Sequence, residues 1–295
     1  MVLAGGGPAA SAWEIGLVTG MADTGLYVTG ADLFVGTSAG SRVALHLACG
    51  ESHEQAYERR LQPMPASARR SGAGPVDWVA IREGVARAKE MGGSKTDILR
   101  RIGALALTLS PGEVVPGRRD ILASQLPVTA WPEKRVLVAT VNADTGERRA
   151  FDREGGMDLV DAVLASTAAF GVPPVLFDGG RYIDGGYYCT DNADLAAGCD
   201  RVLVLALKRP PEIPSQSVAT LDESVAILRE SGSQVRVIQP DEIAAAEMAA
   251  AGGFMNPEIS PAAAKTGRSQ GRRIVNQDFV SFWGSRRSVG PVRVE

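Results

Sequence analysis

The chain has 295 residues, of which 45% are hydrophobic and 22% charged, and a formal net charge of −3. This is the balance of one large globular α/β domain with a sizeable core, and its slight acidity excludes electrostatic capture of nucleic acid. Its three cysteines, Cys49, Cys189 and Cys199, are odd in number and lack Cys-x-x-Cys spacing. They therefore read as reduced thiols of a cytoplasmic protein, with neither a disulfide frame nor a metal site.

In chain order, the first predicted element is an apolar strand over 1–4. It carries no basic residues and is too short for a signal peptide, and no later run reaches the ~18 apolar residues of a membrane span. Leu3-Ala4-Gly5-Gly6-Gly7-Pro8-Ala9-Ala10 follows. Glycines between a strand and a helix leave backbone N–H groups unpaired, and such groups suit an anion. Gly5-x-Gly7-x-x-Ala10 also fits the dinucleotide fingerprint, which requires an acidic residue ending the next strand. Here Asp32 precedes that strand, so no nucleotide is expected.

A helical pattern at 13–24 leads to the strand 32–36, then to Gly36-Thr37-Ser38-Ala39-Gly40 and a helical pattern at 39–49. Strand, Gly-x-Ser-x-Gly and helix together predict a nucleophile elbow with Ser38 at its tip. Gly36 and Gly40 give the turn room to pack backbone on backbone.

Helices are predicted at 53–61, 79–89 and 97–109. The region 51–130 supplies no clear strand and reads as a helical cap or lid inserted over the sheet, with 62–77 rich in Pro, Ser, Gly and Arg. A strand at 135–141, a turn at 142–147 and an extended piece at 148–152 come next. Then follow a helix at 159–167, strands at 175–177, 201–207 and 234–238, helices at 221–231 and 242–251, and a loop at 208–220. This alternation predicts a doubly wound, largely parallel sheet. The tail from 262 carries Lys265, Arg268, Arg272, Arg273, Arg286 and Arg287. It reads first as a solvated helical face, with peripheral contact to anionic lipid as the alternative.

A serine nucleophile needs a base. The only histidines are His46 and His53, both soon after Ser38, and His46 lies two turns along the outgoing helix. The order Ser…Asp/Glu…His is excluded, which leaves a carboxylate acting on serine directly. Asp184, in Arg181-Tyr182-Ile183-Asp184-Gly185-Gly186-Tyr187, is the candidate, with Gly185 and Gly186 turning the backbone behind it. A hairpin turn with Asp184 capping its own amides is the plainer reading of the same residues.

The glycine triplet, Gly-Thr-Ser-Ala-Gly and a late Asp-Gly-Gly without histidine resemble the patatin-like phospholipase family. Ala-Trp-Glu-Ile-Gly (12–16) and Asn192-Ala193-Asp194-Leu195-Ala196 are most like its bacterial, especially actinobacterial, branch. The resemblance implies a single three-layer α/β/α sandwich domain over 1–295. It also implies a Ser38–Asp184 dyad, and an oxyanion hole built from amides of Gly5, Gly6 and Gly7. Hydrolysis of acyl esters of phospholipids, lysophospholipids or neutral lipids would follow, with no cofactor and no metal. An acyltransferase and a catalytically silent lipid-binding protein are the alternatives. The family pattern usually continues Gly-Gly-Gly-x-Arg/Lys-Gly, where this chain has Ala9 and Ala10. Ser166, in Ala165-Ser166-Thr167-Ala168-Ala169, reads as packing beside the site.

Overall fold

A computed structural model describes residues 1–62, 77–110, 117–208, 215–252 and 256–284. One mixed sheet runs through it. Followed from one hydrogen-bonded neighbour to the next, its strands are β5 (Val175–Phe177), β6 (Gly180–Asp184), β3 (Arg135–Asn142), β2 (Leu33–Thr37), β1 (Val2–Leu3), β7 (Arg201–Leu205) and β8 (Gln234–Ile238), and β4 (Arg148–Phe151) also pairs with β3. The pairs β3–β2, β2–β1, β1–β7 and β7–β8 are parallel, while β4, β5 and β6 join antiparallel.

The central strands read as near-continuous apolar runs because both faces are covered. Leu3, Phe34, Val136, Val138, Leu203 and Leu205 face one core. Their alternating neighbours Val2, Val35, Leu137, Val202 and Val204 face another. The first core is closed by α1 (Gly7–Asp23), α2 (Ala39–Ala48), α3 (His53–Leu61), α7 (Leu159–Ser166) and α10 (Ser260–Ile274). The second is closed by the 3₁₀ turn Ala193–Ala196 and by α8 (Leu221–Glu230). Three layers result.

Within 51–130, α3 packs against α1 and α10. Farther on, α4 (Trp78–Glu90) and α5 (Lys95–Leu109) form a hairpin. It sets Ile81, Val85, Leu99 and Ile102 against Val141, Phe170, Ile183 and Tyr187 at the end of β3 and β6. A short α6 (Arg118–Ala123) follows. After β8 come α9 (Glu242–Ala250), α10 and α11 (Gln277–Gly284). Of the Pro/Ser-rich stretch 62–77 only the two ends, and of the loop 208–220 only 208 and 215–220, fall within the described residues; Arg286 and Arg287 lie outside them.

Helices α1 and α10 approach until glycine is required. A Cβ at Gly16, Gly20, Gly267 or Gly271 would lie 2.1, 2.1, 2.4 and 2.2 Å from a carbonyl oxygen of the facing helix. The contact is sealed by Trp13 Nε1 donating to Gln270 Oε1 at 3.0 Å. The same helix carries the tail's cations. Arg268 pairs with Asp23 and Glu54, Arg272 with Asp23, and Arg273 with Asp241. These arginines join elements of the fold.

Register fixes where the candidate residues meet. β4 occupies one edge of β3 over Val138–Val141. β2, paired to 135–139, and β6, paired to 140–142, must therefore share the other edge. They run toward each other and stop at adjacent rungs, with Thr37 opposite Ala139 and Asp184 opposite Thr140. Ser38 and Asp184 thus leave their strands head to head.

Candidate active site

Ser38 sits between β2 and α2 at φ 52°, ψ −124°, a conformation that a non-glycine residue adopts only under constraint. The constraints are visible. Its N–H donates to Ser166 Oγ at 2.8 Å, and its carbonyl accepts from Ser41 N–H at 3.0 Å and Ser41 Oγ at 2.6 Å. A Cβ at Gly36 would lie 2.4 Å from Ser41 Cα, and one at Gly40 2.2 Å from the Leu3 carbonyl oxygen. The sharp turn is therefore possible only with glycine at both places. Ser38 itself is half-buried, at the N-terminus of α2, where the helix dipole favours negative charge.

Asp184 ends β6 and is 6% exposed. Its carboxylate accepts the Gly186 N–H at 2.8 Å, and Ser38 lies close enough to it to lower its pKa. Burial raises its pKa to about 6, and these two neighbours oppose that rise. The plainer sequence reading, Asp184 capping its own turn, describes the Gly186 bond, and the approach of Ser38 is what it leaves out. Gly185 rests on the Ala139 carbonyl, where a Cβ would lie 2.4 Å from the oxygen.

The glycine loop reaches the same place. A Cβ at Gly5 would lie 3.1 Å from Ser38 Cβ. The Gly5 N–H, however, donates to the Thr190 carbonyl at 2.8 Å, which removes it from the expected set of oxyanion donors. Gly6 and Gly7 adopt φ 148° and 66°, and their N–H groups have no acceptor among the described residues. Ala9 and Ala10 are fully buried, so the helix after the loop begins in packed surroundings.

Ser166, read from sequence as packing, is also a hydrogen-bond relay. It accepts from Ser38 N–H and donates to the Ala139 carbonyl at 2.7 Å, fully buried. Two residues on, the Ala168 carbonyl accepts the Asp184 N–H at 3.2 Å. The histidines stand apart. His46 Nδ1 is bonded to Glu51, and burial first, then Arg60, lowers its pKa to about 4. His53 stacks on Tyr27.

Three comparisons bear on this arrangement. A model of the family described as patatin-like phospholipase matches residues 1–197. No curated protein matches the chain. Among solved structures the chain is similar to VipD from Legionella pneumophila, at 15% identity and a TM-score of 0.44, over 92% of this chain and 65% of that one. It is also similar to the type III effector protein ExoU, at 16% identity and a TM-score of 0.36, over 92% and 53% respectively. The chain thus spans less than two thirds of either protein's length. The family match takes in the glycine loop, the elbow and the Asp-Gly-Gly turn alike, so it covers the whole candidate site: the chain belongs to the patatin-like phospholipase family.

Proposed function

We propose that the protein hydrolyses fatty-acyl esters of lipids through a Ser38–Asp184 dyad and an acyl-enzyme. The observation that carries this reading is that the elbow serine and a buried aspartate meet at adjacent rungs of β3, where burial raises the Asp184 pKa to about 6. An aspartate at its ordinary pKa near 4 is a poor base at neutral pH, and partial desolvation corrects this without removing the charge. Asp184 accepts the hydroxyl proton as Ser38 Oγ bonds to the ester carbonyl carbon. The carbonyl oxygen, now anionic, is met by the free N–H groups of Gly6 and Gly7. One such donor typically lowers the barrier by about 3 kcal/mol. Collapse expels the alcohol, which takes the proton back from Asp184. Water then attacks the acyl-enzyme, gives its proton to Asp184, and releases the fatty acid as Ser38 is reprotonated.

The test is labelling by a fluorophosphonate probe. Wild type should form a stable adduct at Ser38, and Ser38→Ala should form none. A folded wild type that stays unlabelled would overturn the reading and leave a lipid-binding protein. If an alcohol acceptor diverts the acyl group from water, the product is a new ester and the enzyme is a transferase. The pH dependence follows from the same group. Only ionised Asp184 takes the proton, so kcat/KM should fall on the acid side with a midpoint at about 6. A midpoint near the ordinary aspartate pKa of about 4 would remove Asp184 as the base.

A further inference from the structure

The turn after Asp184 does more than return the chain to β7. Over residues 189–192 it contacts all three parts of the site. The Thr190 carbonyl takes the Gly5 N–H at 2.8 Å. The Asp191 carbonyl takes the Thr37 hydroxyl at 3.4 Å. Asn192, fully buried and in the left-handed region at φ 49°, donates through Nδ2 to Thr37 Oγ1 at 3.0 Å, Gly185 O at 3.2 Å and Cys189 O at 2.5 Å. Thr37 immediately precedes Ser38, and Gly185 immediately follows Asp184.

The orientation of the amide is determined by its surroundings. Arg148 Nη1 lies 3.2 Å from the other end, Asn192 Oδ1, and a guanidinium has only donors to offer. Oxygen must face Arg148, so the NH₂ group must face the three oxygens. Arg148 is in turn held by a two-pronged ion pair to Asp194, at 2.7 and 2.6 Å, and lies over the Tyr188 ring at 4.1 Å. The amide is pinned from both sides.

Resting on the dyad reading above, we infer that Asn192 is a positioning residue: its amide joins the Thr37 hydroxyl, just before Ser38, to the Gly185 carbonyl, just after Asp184, and sets the distance across which the proton moves. β2 and β6 end head to head on one edge of β3, so no ladder hydrogen bond joins them to each other. Asn192 supplies that missing cross-link. No other side chain among the described residues donates to both flanks.

The test compares wild type, Asn192→Asp and Thr37→Val, using a p-nitrophenyl ester and a fluorophosphonate. Asn192→Asp keeps the acceptor toward Arg148 and loses the donors toward Thr37, Gly185 and Cys189. Misplacement of reacting groups by about 1 Å can cost about 10²-fold. A fall in kcat of that order is expected, with KM unchanged because no substrate contact is touched. The midpoint of the acid limb should move to higher pH, since a longer reach weakens the Ser38 contact that lowers the Asp184 pKa. Among titratable groups, Tyr187 also lies near Asp184, but its own pKa is pushed up by burial and it stays neutral across that range. Thr37→Val removes one limb of the link and should give a smaller loss. The double variant should lose less than the two single losses multiplied, because both act on one contact. If Asn192→Asp does not fold, Thr37→Val alone decides, by the same split between kcat and KM and the same movement of the acid limb. Labelled wild type with undiminished kcat in the folded variants overturns the inference and spares the dyad. Unlabelled wild type overturns both.

Discussion

Asp184→Asn should be slower and more stable. General-base assistance contributes typically about 10²–10⁴-fold, and fluorophosphonate labelling should slow by that order. Asparagine fits the same space and still accepts the Gly186 N–H, so the fold has no reason to suffer. It should gain at neutral pH. Asp184 has a pKa of about 6 when folded, against an ordinary value of 3.8. Between those values the native state holds a proton that the unfolded chain has released, so stability falls as pH rises through that window. Above it, the charge is held inside against a cost of roughly 3 kcal/mol, since each tenfold change in proton affinity is worth about 1.4 kcal/mol. Asparagine carries no such cost. Denaturant unfolding at pH 4 should find the two proteins nearly equal, and at pH 8 the variant ahead by up to that amount. A variant less stable at pH 8 would mean that hydrogen bonds hold the charge better than burial penalises it.

The second large effect lies away from the chemistry. Gly267→Ala places a methyl group 2.4 Å from the Trp13 carbonyl oxygen at the crossing of α1 and α10. Within an ordinary exposed helix, replacing glycine by alanine stabilises by about 1 kcal/mol. Here the methyl intrudes by about 1 Å on backbone that no rotamer change can move aside, and overpacking of that kind costs typically about 1–3 kcal/mol. The sign should therefore reverse. The melting temperature should fall by roughly 5 °C, at about 2–4 °C per kcal/mol for a chain of this size class. A rise in melting temperature would show that the two helices can part without loss.

Much of this molecule is readable where the signal is local. The elbow announces itself because the turn needs Gly36 and Gly40 beside Ser38, and Asp184 is nominated by the lack of a later histidine. Most strands are found because covered strands are apolar throughout. β6 is different. Tyr182 and Ile183 are flanked by Gly179-Gly180 and Gly185-Gly186, a pattern that reads as a hairpin turn, and only pairing with β3 and β5 makes it a strand. The start of α1 is also misread. The helical pattern is legible only from residue 13, yet the helix begins at Gly7, with Pro8 in its first turn and Ala9 and Ala10 buried. The tail arginines read as a free basic face, because Arg268 finds its partners 245 and 214 residues away. The Gly5 amide and the roles of Ser166 and Asn192 are illegible for the same reason. Each depends on which carbonyl, hydroxyl or amide the fold brings to it.

The glycine seam between α1 and α10 has a consequence for biosynthesis. Trp13 and Gln270, which close it, stand 257 residues apart, and β1 needs β7 as well as β2 for its pairing. On a ribosome making about 5–20 residues per second, α10 follows the elbow by roughly 10–45 s. The helix that lies against α1, whose first residue Gly7 closes the glycine loop, appears after every one of the site residues. Every motif that carries the proposed chemistry is thus made before, and waits for, a segment that contributes no reacting atom. A ribosome stalled before α10 should display a complete set of site residues and no working site.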